Sequence, residues 1–316
     1  MHPANLKDYL SAARVDHWTK QIFVLPGVMT AWLLGGVEGT GLQDLIGPAV
    51  LGILATSLVA SSNYLLNEWR DSAFDRHHPL KSNRPFVVRM PNRVWLWTGY
   101  TSLLAGGLLV STVLNPGVFW TLIVFMVSGW GYNLKPVRSK DIPFLDVITE
   151  SVNNPLRFLV GWFLVTDSAI PPTSILIAFW TAGAFLMGIK RFAEYRTLEA
   201  RGGLEMLKAY RGVFRIYTEH SLLISSFFYA LMSTFMMGIF LIKYRIEYLL
   251  LFPLISGLFA SYLRVALKPS SRAQKPEKLI REKTLWIMVV LLMALFLICS
   301  LIDIPQLHIL IDPYLG

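Results

Sequence analysis

Hydrophobic residues run along the chain in long blocks, and charge is concentrated in the shorter stretches between them. Nine apolar segments approach membrane-crossing length, at 21–36, 45–66, 94–114, 117–134, 143–164, 173–189, 220–242, 247–266 and 284–302. A helix needs roughly 20 apolar residues to cross a bilayer, so the pattern predicts an all-α, polytopic membrane protein with nine transmembrane helices. Residues 1–20 read as a polar, amphipathic segment without the small-residue cleavage site of a secretory signal. The blocks follow one another without a composition break, so 1–316 reads as a single integral-membrane domain.

Composition agrees: 54% of residues are hydrophobic, only 16% are charged, and the mean hydropathy is +0.51, outside the range of ordinary soluble domains. The net charge of +9 is unevenly placed. Twenty-six of the 29 Lys and Arg residues fall before segment one, at 67–93, 135–141 and 190–218, and around 264–283. With nine crossings these stretches share one side, which the positive-inside rule makes cytoplasmic. The excess charge is thereby explained without nucleic acid. The single Cys299 lies in an apolar run, which excludes an intramolecular disulfide and makes a thiolate metal site implausible.

The most informative stretch is 63–85, NYLLNEWRDSAFDRHHPLKSNRP, where an apolar helix ends in charge. Asn67, Asp71 and Asp75 recur every fourth residue, so on a continuing helix they share one face. Hard oxygen ligands at that spacing suit Mg²⁺ bound to a diphosphate. Arg76, Lys81 and Arg84 follow within one loop and could clamp phosphate oxygens left free by the metal. The competing reading is a solvated helix end of mixed charge.

Two further clusters stand out. Asp146, Glu150, Asn153 and Arg157 step by four, three and four residues, a polar stripe on apolar segment five, which Pro155 is expected to bend. Ionisable groups in a membrane span are costly and usually face a cavity or each other, so a ligand site and a buried ion-pair network both stay open. The 190–218 stretch carries Lys190, Arg191 and Glu194, with Gly202 and Gly203 separating two short helices; a surface helix laced by ion pairs is the alternative there. His77 and His78 lack partners at metal-ligand spacing. No dinucleotide fingerprint, P-loop or nucleophile elbow occurs.

The run Asn67-x3-Asp71-x3-Asp75, followed by Pro79, Lys81, Arg84 and Pro85, resembles the first aspartate-rich motif of the UbiA-type membrane transferases. Prenyl-diphosphate-using members carry a second aspartate-rich motif after helix six, where this chain has Lys190-Arg191-Phe192-Ala193-Glu194. That departure resembles the branch that transfers phosphoribose to polyprenyl phosphate. Arg14-x3-Trp18-x-Lys20, Tyr132 and Lys135, and Asp146 with Arg157 are similar to the same branch.

The resemblance implies helices around a cytoplasm-facing central cavity in a bacterial inner membrane. It implies Mg²⁺ as cofactor on Asn67, Asp71 and Asp75, which would be the catalytic residues. Phosphoribosyl pyrophosphate and a polyprenyl phosphate lipid would be the substrates, in cell-envelope precursor synthesis. Arg14, Lys20, Lys81, Arg84, Tyr132, Lys135, Asp146, Arg157, Lys190, Arg191 and Glu194 would bind them. A homo-oligomer is left open. Two other classes remain: an aromatic prenyltransferase, and a non-enzymatic transporter or lipid-binding protein.

Overall fold

In the computed structural model of the chain, the described residues are 2–34, 41–76, 81–167, 169–268 and 282–310. They form twelve α-helices joined by turns and short 3₁₀ segments. These are α1 (Leu6–Ala12), α2 (Leu25–Leu34), α3 (Ile46–Asp75), α4 (Pro85–Val88), α5 (Arg93–Thr112), α6 (Pro116–Asn133), α7 (Leu145–Ser151), α8 (Asn153–Phe163), α9 (Thr173–Tyr210), α10 (Glu219–Tyr244), α11 (Phe252–Leu267) and α12 (Lys283–Leu301). Among the described residues β-type pairing is limited to one isolated bridge, Pro3 to Met90. Among the described residues six helical stretches are long and apolar enough to cross a membrane: Leu42–Asp75, Arg93–Thr112, Thr173–Ala200, Glu219–Tyr244, Ile246–Leu267 and Lys283–Leu301.

The apolar blocks and the helices coincide except where proline intervenes. Segment one is a 3₁₀ run, Val15–Val24, followed by α2, because Pro26 has no N–H to donate to the carbonyl four residues back. Segment five divides at Val152 into α7 and α8. Pro155 cannot donate to the Ser151 carbonyl, so the expected bend is a break between two helices, and the polar stripe is not carried on one continuous helix.

The chain divides into two compact units, Met1–Pro171 with Leu198–Tyr217, and Pro172–Thr197 with Thr218–Gly316. In the first, α3 is the central element. Its 30 residues extend about 45 Å, well beyond the roughly 30 Å hydrocarbon core of a bilayer, so its last turns project past the apolar layer. Thr56, Ser57 and Ser62 on α3 return their hydroxyls to carbonyls three or four residues earlier, at 2.7–2.8 Å. That satisfies each polar group within the helix and leaves a narrow, small-residue face to pack.

α2 and α8 cross at glycine. A Cβ on Gly161 would lie 1.9 Å from the Val24 carbonyl oxygen, and one on Gly27 would lie 2.0 Å from that of Phe158. Only glycine permits the two backbones to approach this closely. Val24, Val28, Val59, Leu122, Phe125, Leu156 and Val160 close the core around the crossing.

In the second unit, the Ser233 hydroxyl on α10 donates to the Ala178 carbonyl on α9 at 2.9 Å. The Arg245 guanidinium caps the end of α12, donating to the Ser300 carbonyl at 2.6 Å and the Ile302 carbonyl at 3.0 Å. Ile224, Phe227, Phe235, Ile287, Val290 and Leu301 on α10 and α12 are exposed, an arrangement that lipid tolerates and water does not. Gly203, on the part of α9 that belongs to the first unit, breaks the helix with φ 66°, a left-handed conformation that a residue with a Cβ resists; the expected separation of two helices there falls at this glycine.

Candidate active site

α3 continues unbroken through the charged motif, so Asn67, Asp71 and Asp75 lie on one helix. Asp71 and Asp75 are buried and Asn67 is half-buried. A second element meets them from the loop after α6. Lys140 Nζ pairs with Asp71 Oδ1 and donates to Asn133 Oδ1 at 3.0 Å and Asn67 Oδ1 at 3.3 Å. Burial pushes the Lys140 ammonium down to about 8, against the opposing pull of Asp71. Arg138 approaches Asp71 at 3.6 Å and donates to Asp141 at 2.6 Å. Arg84 donates to Asp75 at 2.5 Å. Asp71, Asp75, Arg138, Lys140, Asp141 and Arg211 line a small open recess.

The recess rests on a second layer. The Tyr217 hydroxyl donates to buried Asp146 at 2.5 Å and accepts from the Phe144 N–H at 2.6 Å. Arg211 lies 3.8 Å from Asp146. The Tyr132 hydroxyl donates to Glu150 at 2.9 Å, and Lys140 Nζ sits over the Tyr132 ring. Three non-glycine residues among those described have positive φ: Arg14 (52°), Arg138 (28°) and Phe144 (65°). Arg138 lines the recess and Phe144 holds Tyr217, so the strain is concentrated where side chains must be aimed.

The other expected site residues divide into groups. Arg14 lies 3.7 Å from buried Glu68 and over the Tyr64 ring, and Lys20 Nζ is 3.2 Å from His17 Nδ1. Lys135 is exposed, while Lys140 is buried. The stripe of segment five goes to separate partners: Asp146 to Tyr217, Glu150 to Tyr132, and Arg157 to Gln21 at 2.7 Å. In the second unit, Arg191 and Glu194, both buried, pair at 3.0 Å; Lys190 precedes them on α9. Lys81 is half-buried. His77, His78 and Pro79 lie outside the described residues. Sequence reasoning missed Asn133, Arg138, Lys140, Arg211 and Tyr217 as site residues. The available signal was three basic residues within 135–140, between two apolar blocks.

The donor set can be tested against a metal. Asn67, Asp71 and Asn133 turn oxygens toward one ammonium nitrogen, so this corner already accommodates a cation. Among the described residues no three His, Cys, Asp or Glu side chains gather at one point. An all-oxygen set of one or two carboxylates, completed by ligand oxygens, is the usual Mg²⁺ environment at phosphates. The residues fit that ion together with a phosphate ligand.

An all-helical integral membrane protein with an acidic helix end met by arginine and lysine is the class that fold and site define. The UbiA prenyltransferase family model matches residues 23–282, and the chain belongs to that family of transferases. Among its relatives, decaprenyl-phosphate phosphoribosyltransferase of Mycobacterium tuberculosis is 26% identical over 205 residues, 63% of this chain and 64% of that protein. Nodulation protein NoeC of Azorhizobium caulinodans is 29% identical over 203 residues, 63% of this chain and 61% of that protein. The chain thus spans less than two thirds of the length of these relatives. A UbiA homolog from Archaeoglobus fulgidus, solved bound to DMAPP and Mg²⁺, superposes with a TM-score of 0.67 at 21% identity, covering 93% of this chain and all of that one. A structure of digeranylgeranylglyceryl phosphate synthase gives 0.62 at 16% identity, over 93% and 98% of the two chains.

Proposed function

We propose that this chain transfers 5-phosphoribose from phosphoribosyl pyrophosphate to a polyprenyl phosphate, releasing pyrophosphate, in building cell-envelope precursors. The observation that carries the reading is the recess where Asp71 and Asp75 meet Arg84, Arg138, Lys140 and Arg211. Carboxylates alone would suit a cation and arginines alone an anion; the two together suit a metal-bound diphosphate. The relatives named for phosphoribosyl transfer support the branch, as does Lys190-Arg191 where a second aspartate-rich motif would otherwise stand.

Asn67, Asp71 and Asp75 would hold Mg²⁺, which when bound neutralises pyrophosphate charge and favours its departure. Arg84, Arg138, Lys140 and Arg211 would hold outer phosphate oxygens, with Lys81 beside them. Tyr132 and Asp146 would keep Lys140 and Arg211 aimed. As the C1–O bond to pyrophosphate breaks, a lipid phosphate oxygen forms the new bond to C1 from the opposite face, inverting the anomer. With a second pKa of about 6 the phosphate is already anionic, so no general base is required. Lys190, Arg191, Glu194, Lys135, Arg14 and Lys20 are proposed as further substrate contacts. Nine crossings, obtained by adding α2, α6 and the α7–α8 pair to the six longer spans, would put the site at a cytoplasm-facing cavity of a bacterial inner membrane, within one transferase domain.

Labelled phosphoribosyl pyrophosphate and labelled prenyl diphosphate, each offered to purified protein with Mg²⁺ and either polyprenyl phosphate or an aromatic acceptor, test the assignment. Label should pass from phosphoribosyl pyrophosphate to the lipid. Transfer only from prenyl diphosphate would replace this reading with aromatic prenyl transfer. Substrate binding without turnover of either donor would favour a transport or scaffold role.

A further inference from the structure

Arg70 stands beside the face of α3 that carries Asn67, Asp71 and Asp75 but turns away from it. Successive helical residues are about 100° apart, and the recess is lined from α3 by Asp71, Phe74 and Asp75, without Arg70. The Arg70 guanidinium lies instead over the Trp69 ring, 5.7 Å from its centre. The side chain is half-buried, and its Nε is enclosed with no acceptor. Among the described residues Arg70 pairs with no carboxylate. The acidic groups nearest in sequence are taken by other cations: Glu68 by Arg14 at 3.7 Å, and Asp71 by Lys140 and Arg138.

An aromatic belt surrounds this arginine at one end of three helices. Trp69 meets Trp97 edge-on at 6.1 Å, and Trp97 meets Tyr100 at 5.6 Å. Trp130 Nε1 donates to the Tyr100 hydroxyl at 2.5 Å. Trp97 lies near the start of α5 and Trp130 in the last turn of α6. Trp69 is about 35 Å along α3 from its first residue, past a hydrocarbon core of roughly 30 Å. The belt therefore sits at headgroup level, where tryptophan is favoured. It is also accessible: Trp97 and Trp130 are 45% and 37% exposed. Arg93, exposed and one turn before Trp97 on the same face of α5, likewise pairs with no carboxylate among the described residues.

We propose that Arg70 and Arg93 hold the phosphate of an anionic membrane phospholipid, with Trp69, Trp97 and Trp130 as its platform. A guanidinium without a protein acceptor offers parallel N–H groups to phosphate oxygens, and basic groups at the membrane surface attract anionic lipid. Val127, one turn deeper than Trp130 on α6, is exposed where an acyl chain would lie. Charge selects this occupant over the alternatives. A zwitterionic phospholipid brings its own cation to the phosphate, and a second copy of the same face would oppose arginine to arginine. The site lies outside the recess, so the proposed transfer can stand or fall without it.

The test is lipid retention by full-length protein in detergent, without donor or Mg²⁺, read by native mass spectrometry. The probes are phosphatidylglycerol and phosphatidylcholine of matched chains, polyprenyl phosphate and soluble glycerol phosphate. Wild type should prefer phosphatidylglycerol to phosphatidylcholine. The preference should fall about fivefold in R70Q and in R93Q, the effect of one arginine near an anionic headgroup, and further in the double variant. Glycerol phosphate should not displace the lipid. R93Q changes an exposed residue and carries the decision should R70Q fail to fold. Equal retention of both phospholipids by wild type, or a preference untouched by these substitutions, would overturn the site. So would displacement by glycerol phosphate, or Arg70-dependent retention of polyprenyl phosphate alone. A variant that changes oligomeric state and not lipid preference would make this face a subunit interface instead.

Discussion

Lys140 Nζ lies against the Asp71 carboxylate and also bonds the side-chain oxygens of Asn67 and Asn133. The motif's oxygens therefore hold a tethered cation supplied by the chain itself. A divalent ion must share or displace that ammonium, because both seek the same hard oxygens. Lys140→Met should strengthen Mn²⁺ binding in the absence of donor by about tenfold, the equivalent of one modest charge–charge interaction. The same variant should raise the KM for a diphosphate donor. Electron paramagnetic resonance of free Mn²⁺ reads the first effect and steady-state kinetics the second. Unchanged Mn²⁺ affinity would mean that ammonium and metal use different oxygens.

Asp71→Asn keeps the shape of the side chain and removes its charge. If Asp71 carries a metal at the departing pyrophosphate, kcat should fall by about a hundredfold or more, the usual cost of losing one preorganised electrostatic contact to the transition state. Chelation of divalent ions should abolish wild-type turnover, and Mg²⁺ should restore it. Loss of melting temperature alone, with kcat per folded molecule preserved, would return Asp71 to a purely structural pairing with Lys140.

The architecture was legible because hydropathy reports directly on burial in lipid: each of the nine apolar blocks overlaps a helix or a helix pair. The breaks at Pro26 and Pro155 follow from the missing N–H. The acidic half of the recess was legible too, since Asn67, Asp71 and Asp75 repeat at helical spacing within one stretch. The basic half was not. Lys140 and Asp71 stand 69 residues apart, and nothing local distinguishes Lys140 from Lys135, although one is buried and the other exposed. Arg157 bonds Gln21, 136 residues away, a partner that spacing within segment five could not point to.

Arg191 and Glu194 pair at 3.0 Å with both side chains almost fully enclosed. Breaking such a pair by removing one partner typically costs 3–5 kcal/mol, whereas replacing both can be neutral. Glu194→Leu should therefore lower stability by about 3 kcal/mol, and Arg191→Met in the same chain should recover most of it. The proposed role in binding predicts that this stable double variant still loses substrate affinity. Thermal melts in detergent and donor-binding isotherms separate the two effects. Full activity in the double variant would make the pair a structural device only.

Gly161 is the tightest point of the fold. A Cβ there would stand 1.9 Å from the Val24 carbonyl oxygen, and backbone cannot step aside as a flexible side chain can. Gly161→Leu should force α2 and α8 apart. Overpacking of a close core typically costs 1–3 kcal/mol, and a backbone-to-backbone clash lies at the upper end of that range or beyond it. The separation would also draw Gln21 away from Arg157, because the crossing holds both in register. Gly161→Ala should act in the same direction with a smaller effect. Melting temperature reports the loss of packing. A Gly161→Leu protein that melts like wild type would show that α2 and α8 do not meet at this glycine.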